Sequence, residues 1–549
     1  MNGKGKWFLA LVGLLTVLAP LAACAPSPTP VKEIVKETVV VEKQVEVTRE
    51  VPVEVTREVP MEMVPQELVV RVNLEGFSLD PARTSAGEDW SVMQQIYNAL
   101  LRFKPGTFEL EPDLATEWEV SPDGKEWTFQ LRKGVKFHRG FGTLTAEDVK
   151  FSLERLRDPE TSIYTNEVEV IDRVEVLSED RIRIVLKAPA PDFLYKVSTL
   201  RPFTGYVVSK KAVEQYGEDF GNNPIGTGPF MLKTKIPRDR WVLEPNPDYF
   251  EGPPKLSKVT ILVMPDEPTV ALAVEAGEVH IAEAQSNETR QRYLDHPEVD
   301  IVPVGRIFGC WLFLNQLVKP LDDVRVRRAI AHAIDYDEIV NELHGGFAIQ
   351  PGAGLLHPGM FGYDPEVNQP IKHDINEAKR LLAEAGYEDG LELTAVSYTT
   401  SIYRQLGELM QAQLKKAGID LEVQNLERAT LVEARFKETT PAVFFASTDA
   451  PDPNPWMDFV HSDSIPPDGF NMARYSGLDD IIDKAKAEPD PDKRKELLRE
   501  VQRKFSEDLP VIPLYHPQVT FLVHKSVKGY VPEAVGGTGC LHKVYIAGD

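Results

Sequence analysis

Cysteine is scarce in this sequence. The 549 residues contain three cysteines, Cys24, Cys310 and Cys540. So few cysteines exclude a small domain held together by disulfides and a zinc site built from several thiolates. If Cys24 is modified, the other two could form one disulfide across a long stretch of chain, or remain as two buried thiols.

Local signatures of catalysis are also missing. The sequence contains no G-x-S-x-G elbow, no H-E-x-x-H pair and no P-loop. The eleven histidines do not pair at metal-binding spacing. The acidic pairs Asp322-Asp323 and Asp479-Asp480 fall where helices are predicted to begin, and the helix dipole accounts for them. The sequence therefore predicts no enzyme, no metal and no other cofactor.

Positive charge is in deficit, with 61 basic against 85 acidic residues and a net charge of −24. Such a surface repels phosphate backbones, which argues against a nucleic-acid partner. Long hydrophobic runs are missing too, apart from one between Trp7 and Leu21 that is short for a membrane span. The rest of the chain is predicted to be soluble and is long enough for two or three domain-sized cores.

That single apolar run has the features of an export signal. Lys4 and Lys6 precede it, and it closes with Leu21-Ala22-Ala23-Cys24. This end resembles a bacterial lipobox, which implies that Cys24 becomes a lipid-bearing N-terminus after removal of the signal peptide. We therefore expect residues 1–24 to direct lipid anchoring at the outer face of the cell membrane, facing a periplasm or the cell exterior. The alternative is a plain secretory leader cut after an A-x-A-like site.

A segment of biased composition, residues 25–65, follows the cysteine. The unit "VEVTREVP" stands at Val45–Pro52 and returns unchanged at Val53–Pro60. Valine alternates there with charged residues and threonine, which is typical of extended chain, and prolines interrupt it repeatedly. We interpret the segment as a tether that holds a domain away from the membrane. A short coiled coil or a strand-mediated oligomer is the alternative.

The folded part is predicted to begin at "ELVVRVN", where Leu68, Val70 and Val72 alternate as in a strand. "WTFQLRKG" reads as another strand, and "VEVLSEDRIRIVLKA" reads as a hairpin. A capping box from Thr145 to Asp148 predicts a helix start. Two successive units then run from helix through glycine to strand, the first with Asp374 as cap and Gly386 at its end, the second with Gly418. This order predicts an α/β architecture.

Several strings together resemble the extracellular solute-binding proteins of family 5, the dipeptide, oligopeptide and nickel receptors of ABC importers. The strings include "LEPDLATEWEVSPDGKEWTFQLRKGVKFHRG", "LTAEDVKFSLERL", "NPIGTGPFML" and "LFLNQLVKPLDDVRVRRAIAHAIDYDEIV". They occur in the family's order, and the likeness extends from Glu67 to the C-terminus.

The resemblance implies a type II periplasmic-binding-protein fold, in which two lobes flank a central cleft. Lobe I would take residues 66–265 with an extra subdomain at 103–200, lobe II residues 266–507, and residues 508–549 would return to lobe I. The chain would cross between the lobes near Met264 and Leu509. A few residues at such crossings are enough to act as a hinge.

The resemblance also suggests ligand contacts. Asp449 lies where peptide-binding relatives place an aspartate that pairs with a ligand's α-amino group; alternatively, Asp449 and Asp452 form Asx turns. Trp456 would stack on a ligand, or belong to the core. The other expected contacts are Thr84, Ser85 and Ala86 in a cleft-lining loop, and Phe308 and Gly309 at the entry of a cleft-edge strand that could equally be a packed strand end.

One position departs from the family pattern. Dipeptide receptors grip the ligand's carboxylate with an arginine, and the alignment puts Ser397 there, while Arg404 matches a different, helical position. A dipeptide held by its C-terminus is therefore disfavoured, and a longer peptide, an amine-bearing solute or another organic molecule stays open.

The sequence as a whole predicts a monomeric, lipid-anchored substrate-binding protein that captures a small molecule or peptide by lobe closure and delivers it to ABC permease subunits. The alternatives are a secreted lipoprotein enzyme with a cleft active site and a sensory or chaperone-like binding module.

Overall fold

A computed structural model describes residues 34–37, 49–52, 66–200, 203–447 and 451–548. The chain divides into two compact units, Met1–Met63 and Val64–Asp549. In the first unit, Ile34–Glu37 (β1) pairs antiparallel with Arg49–Pro52 (β2), so these eight residues of the predicted tether have the expected extended backbone. The predicted signal peptide, Cys24 and the rest of the tether lie outside the described residues.

The second unit is mixed α/β, as predicted. Its strands are β3 Glu67–Val72, β4 Leu101–Phe103, β5 Leu110–Pro112, β6 Ala115–Val120, β7 Glu126–Leu131, β8 Ile171–Ser178, β9 Arg181–Leu186, β10 Phe230–Ile236, β11 Arg240–Pro245, β12 Lys258–Val263, β13 Ile281–Ala284, β14 Val299–Gly305, β15 Gly309–Leu314, β16 Ala348–Ile349, β17 Leu391–Tyr398, β18 Ile419–Leu426, β19 Ala442–Ser447, β20 Val511–His524, β21 Val527–Lys528 and β22 Tyr545–Ile546.

The α-helices of this unit are α1 Gly87–Ile96, α2 Ala146–Leu156, α3 Phe193–Lys196, α4 Lys210–Tyr216, α5 Glu267–Glu275, α6 Asn287–Arg292, α7 Val324–Ala333, α8 Tyr336–His344, α9 Ile375–Glu384, α10 Ser401–Lys416, α11 Arg428–Arg435, α12 Asn454–Met457, α13 Asp479–Ala487 and α14 Pro491–Asp508. Short 3₁₀ turns cover His138–Gly140, Gly217–Asn222, Asp458–Val460 and Ser462–Ser464.

One long strand, β20, joins the two halves of the largest sheet. The strand order is β10-β11-β12-β3-β13-β20-β15-β19-β17-β18, and β14 and β16 also pair with β20. The first residues of β20, Val511–Tyr515, pair with β15, whereas Gln518–His524 pair with β14. We call β3 and β10–β14 the first strand group, and β15 and β17–β19 the second strand group. β20 contributes to both groups.

The chain therefore passes between the strand groups at two places. One is residues 306–308, between β14 and β15, and the other is residues 516–517, inside β20. Met264, where one crossing was expected, directly follows β12, and Leu509 precedes β20. The lobe boundaries at 265 and 507 stay a prediction.

Local sequence signals explain most of the elements. The predicted hairpin is formed by β8 and β9, which belong to a four-stranded antiparallel sheet. The capping box of Thr145 and Asp148 begins α2. Asp374 accepts hydrogen bonds from the backbone of Asn376 and Glu377 at the start of α9. Gly386 and Gly418 end their helices at φ 89° and 90°, a left-handed conformation that glycine adopts without a steric cost.

The parallel pairing of β17 with β18 confirms the interpretation of the two helix–glycine–strand units. Leu68, Val70 and Val72 are buried in the largest apolar cluster, as their alternation predicted.

Cys310 and Cys540 are free thiols, so the alternative of a disulfide between them is not realised. Within the described ranges, no helix combines the length and the apolar character needed to cross a membrane.

Candidate functional site

The loop before α1 is organised by one buried carboxylate. Asp89, in the first turn of α1, accepts hydrogen bonds from the backbone N–H of Phe77 (2.8 Å) and Ser78 (3.0 Å) and from the Thr84 hydroxyl (2.5 Å). Burial raises the pKa of Asp89, and these hydrogen bonds act against the rise. The Thr84 side chain is thus turned inward, while Ser85 is exposed and Ala86 half-buried. Three hydrogen bonds to one carboxylate thus tie together the loop that carries Ser85.

The crossing at residues 306–308 leads into the predicted cleft-edge strand. The Phe308 carbonyl accepts a hydrogen bond from the Nδ1 atom of His516, which belongs to the other crossing, at 3.1 Å. Gly309 begins β15 and is buried. A Cβ atom there would lie 2.6 Å from the Trp311 ring and 3.0 Å from His516, so only glycine fits. Gly309 pairs with Ser447, the last residue of β19.

A second histidine packs against the same crossing. The rings of His357 and His516 are 4.4 Å apart and nearly perpendicular. Burial lowers the pKa of His516 to about 3 and that of His357 to about 4, so both rings are neutral at pH 7. Phe108, from the turn between β4 and β5, stands edge-on to His357.

Asp449 lies outside the described residues, and its role as a ligand contact stays a prediction. The description resumes at Pro451, and Asp452 is buried in a two-pronged ion pair with Arg494, with both distances 2.8 Å. Asp452 also accepts a hydrogen bond from the backbone of Asn454, the turn expected of an aspartate in this setting. Trp456 is 1% exposed and meets Trp311 edge-to-face at 4.8 Å, so in this state its ring lies in the core.

A pocket of about 180 Å³ lies between the start of α1 and the crossing at 306–308. Its lining includes Gly87, next to Ala86, and Arg306, two residues before Phe308, whereas Ser85, Ala86 and Phe308 themselves do not line it. Its apolar walls come from the first strand group and from α1, and a glycine-rich loop closes one side; the lining includes Val70, Trp90, Glu283, Arg306, Phe521 and Gly536.

Five charged residues line this pocket, and the sequence analysis singled out none of them: Arg71, Glu88, Glu283, Arg306 and Glu533. Glu283 follows Ile281 by two residues in β13, so both lie on the same face of the strand, where the period-two pattern predicts an apolar residue. That break in the pattern was a usable signal. Arg306 falls outside a strand and carried no such signal. Burial raises the pKa of Glu283, and Arg306 is the largest influence that opposes the rise.

Ser397, which aligns with the carboxylate-binding arginine of dipeptide receptors, is closed to solvent. Ser397 in β17 is 0% exposed, and its hydroxyl has no hydrogen-bond partner among the described residues. Arg404 is exposed in the first turn of α10. A further arginine, Arg435 of α11, is buried and lies 5.3 Å from the ring centre of Phe445 in β19. In the part of the chain that the structure describes, no three histidine, cysteine or acidic side chains are grouped as a metal site would require.

Comparison with known proteins places the chain in a family. The family described as "Bacterial extracellular solute-binding proteins, family 5 Middle" matches residues 109–467. "Di/tripeptide-binding protein 2" of Pseudomonas aeruginosa (strain UCBPP-PA14) is 30% identical over 497 residues, which cover 85% of this chain and 92% of that protein.

Two solved structures show the same fold. The unliganded open form of the periplasmic murein tripeptide binding protein MppA overlays with a TM-score of 0.78 at 25% identity, covering 88% of this chain and 97% of MppA. DppA from Helicobacter pylori in complex with the peptide STSA overlays with a TM-score of 0.65 at 29% identity, covering 88% and 98%. These matches confirm the periplasmic-binding-protein-like α/β fold. The chain therefore belongs to family 5 of the bacterial extracellular solute-binding proteins, and it is a solute receptor of the ABC-importer type rather than an enzyme.

Proposed function

We propose that this protein is the receptor of an ABC importer for peptides, that it binds a peptide in a cleft between two lobes, and that it delivers the peptide to permease subunits. The name of the Pseudomonas relative and the peptide complex of the Helicobacter relative support a peptide as the ligand. The observation that carries the proposal is the pocket itself, which is lined by the start of α1, next to the loop of Ser85, and by Arg306 of the crossing at 306–308.

The two crossings, residues 306–308 and 516–517, are the proposed hinge. The pairing of β13 and β14 with the end of β20 supports placing them in lobe I, and the pairing of β15 with the start of β20 supports lobe II. In this proposal the boundaries lie after those predicted at 265 and 507. Hinges need only a few residues that absorb the change in φ and ψ.

The described state is proposed to be open. The overlay with the open form of MppA scores higher than the overlay with the peptide complex of DppA, although the covered share of this chain is equal and the identity is lower. A rotation of one lobe against the other lowers an overlay score without changing either lobe. Ligand would then close the lobes because it contacts both of them only in the closed state.

Within the closed cleft, Asp449 is proposed to pair with the α-amino group of the peptide. Ser85, Ala86 and the Thr84 backbone would line lobe I, and the edge formed by Phe308 and Gly309 would offer backbone hydrogen bonds to an extended ligand. Trp456 would contribute by supporting this edge through Trp311. The buried serine at position 397, where dipeptide receptors carry an arginine, supports a ligand other than a dipeptide gripped by its carboxylate at that position.

The anchor is part of the same proposal. Cleavage before Cys24 and lipidation of its thiol would hold a monomeric receptor at the outer face of the cell membrane, with residues 25–65 as spacer. Two or more acyl chains at one residue give stable anchoring, since each buried methylene contributes roughly 0.8 kcal/mol.

Native mass spectrometry of the purified protein, followed by thermal-shift titration with di-, tri- and tetrapeptides, tests the function. Because a ligand that binds only the folded state stabilises it by mass action, a true ligand raises the melting temperature with concentration. Sugars and metal chelates serve as controls. A melting temperature that responds to a sugar and to no peptide would contradict the proposal.

A further inference from the structure

The segment of residues 155–164 packs against the loop that precedes α1. It lies within residues 103–200, the range predicted for the extra subdomain, and begins in the last turn of α2. Hydrogen bonds within the segment fix its own course. The Asp158 carbonyl accepts one from the backbone N–H of Ser162 at 2.9 Å, and the Ser162 hydroxyl accepts one from the backbone N–H of Tyr164 at 3.0 Å. The subdomain therefore presents a defined surface to the loop.

Two contacts tie this segment to the first part of the loop. Arg155 forms a two-pronged ion pair with Asp80, with Nη1 2.7 Å from Oδ1 and Nη2 2.5 Å from Oδ2, and the two side chains are 9% and 4% exposed. The Asp80 carboxylate also accepts a hydrogen bond from the backbone N–H of Ala82 at 3.1 Å. The carbonyl of Ala82 accepts one from the backbone N–H of Ile163 at 3.0 Å. A buried pair with two parallel hydrogen bonds is strong and geometrically specific, so it holds residues 80–82 in one arrangement.

A third contact reaches the residue next to Ser85. The Tyr164 hydroxyl donates a hydrogen bond to the Thr84 carbonyl, and the Tyr164 ring stands edge-on to Phe203 at 6.5 Å. The Thr84 hydroxyl donates to Asp89 of α1. Thr84 is thus held by α1 through its side chain and by the subdomain through its backbone. Both contacts are buried, whereas Ser85 is exposed.

A loop that is held in this way can bind a ligand at a lower entropic cost. Fixing the backbone of a residue costs free energy, and a loop that is ordered before binding does not lose that freedom when the ligand arrives. Loss of the Tyr164 hydroxyl would leave the Thr84 carbonyl without this donor in a buried place, which favours other conformations of the loop. The ordering cost would then fall on the binding step, and the affinity would decrease.

We infer that Tyr164 is a positioning residue for ligand binding, through which the extra subdomain fixes the backbone of residues 84–86 and increases the affinity for the peptide. The inference rests on the proposed peptide-binding function, in which Ser85 and Ala86 line the cleft, and it gives the subdomain a part in that function. Tyr164 acts on the loop, so its contribution does not require contact with the ligand.

Tyr164→Phe tests the inference, because phenylalanine keeps the ring beside Phe203 and removes only the hydroxyl. Hydrogen exchange of the unliganded protein, measured by mass spectrometry, reports the order of residues 82–87, whose backbone amides include two that are hydrogen-bonded within the loop. Calorimetry gives the dissociation constants of alanine peptides of two to four residues. Tyr387→Phe is the matched control, since Tyr387 is a half-buried tyrosine packed against the core of the second strand group.

We expect Tyr164→Phe to exchange faster in residues 82–87 alone and to bind the alanine peptides roughly three- to tenfold more weakly, as the loss of one hydrogen bond predicts. Its melting temperature should stay nearly unchanged, since one hydrogen bond is a small part of the stability of a chain of this size. Tyr387→Phe should match the wild type in all three measurements.

Three results would overturn the inference. Unchanged peptide affinity in Tyr164→Phe, or weaker binding with unchanged exchange in residues 82–87, would each show that the hydroxyl does not act through the loop. Faster exchange spread over the whole of Val64–Asp549 would show that Tyr164 supports the fold in general. If no alanine peptide binds the wild type, the proposed function is contradicted, whereas the exchange comparison needs no ligand and still decides whether Tyr164 fixes the loop.

Discussion

The Nδ1 atom of His516 lies 3.1 Å from the carbonyl oxygen of Phe308, and this contact joins the two segments through which the chain passes between its strand groups. A carbonyl oxygen only accepts, so Nδ1 carries the proton of the neutral ring. The ring of His357 packs against the ring of His516, with the two ring centres 4.4 Å apart. The two crossings therefore share one buried histidine.

His516 should make the protein less stable in acid. Its folded pKa of about 3 lies below the usual value of about 6.5, so below pH 6.5 the unfolded chain takes up a proton that the folded chain does not. From pH 7 to pH 5 this group should remove about 2 kcal/mol from the free energy of unfolding. Urea unfolding at both pH values should show a smaller acid loss in His516→Asn, while His373→Asn, at an exposed site, should behave as the wild type. An equal loss in both variants would contradict the prediction.

Glu533 should have the opposite effect to His516 and make the protein more stable as the pH falls. It is 7% exposed, and burial raises its pKa to about 7, above the usual value of about 4.3. As pH falls from 7 to 5, the folded chain binds a proton that the unfolded chain does not, which should add about 2 kcal/mol to the free energy of unfolding. Glu533→Gln should remove this gain in urea unfolding, whereas Glu278→Gln, at an exposed site, should keep it. A gain that persists in Glu533→Gln would show that other groups produce it.

Local signals in the sequence predicted the elements, and distant contacts account for what was missed. Asp374, Gly386 and Gly418 act within a few residues of where they stand, so their positions could be read from the sequence. The crossings could not, because they depend on which half of β20 pairs with β14 and which with β15, a long-range choice that strand patterns do not encode.

The candidate site, like the fold, could be predicted only in part from the sequence. The family resemblance drew attention to the loop of Ser85 and to the strand entry at Phe308, and the pocket lies next to both, at Gly87 and Arg306; their role as ligand contacts stays a prediction. The inward turn of the Thr84 hydroxyl to Asp89 was not foreseen, because a buried carboxylate five residues on reads equally well as an exposed residue of the first helical turn. Glu283 broke an alternation and was overlooked within a string read only for its family likeness.

Ligand should make the molecule more compact. If the described state is open, closure of the lobes around a peptide reduces the radius of gyration. Small-angle X-ray scattering of a protein lacking residues 1–65, with and without a peptide that raises its melting temperature, should show that decrease. The same protein with a non-binding peptide is the control. An unchanged radius at saturating ligand would contradict closure.

Cys24 should determine where the protein resides. Cys24→Ser removes the thiol that is proposed to carry lipid, so the protein should move from the membrane fraction to the soluble or secreted fraction and lose the added mass of acyl chains. Cell fractionation and intact-mass spectrometry measure both changes. Cys310→Ser, which alters a thiol whose pKa burial raises to about 12, is the control and should leave the protein in the membrane fraction. Retention of Cys24→Ser in that fraction would favour another form of attachment.

Substitutions of Asp449 and Asp452, which are three residues apart, should have different effects: the first on ligand binding and the second on the stability of the fold. Asp449→Asn should sharply reduce the peptide-induced rise in melting temperature and leave the unliganded melt nearly unchanged, because its proposed partner is the ligand's amino group. Asp452→Asn breaks a pair with Arg494 in which both side chains are at most 5% exposed. Leaving a buried arginine without its carboxylate should lower the free energy of unfolding by roughly 3–5 kcal/mol. Chemical denaturation and thermal-shift titration of both variants measure the two effects. A full ligand shift in Asp449→Asn would rule out its role, since a neutral asparagine cannot replace the charge that an ammonium group requires.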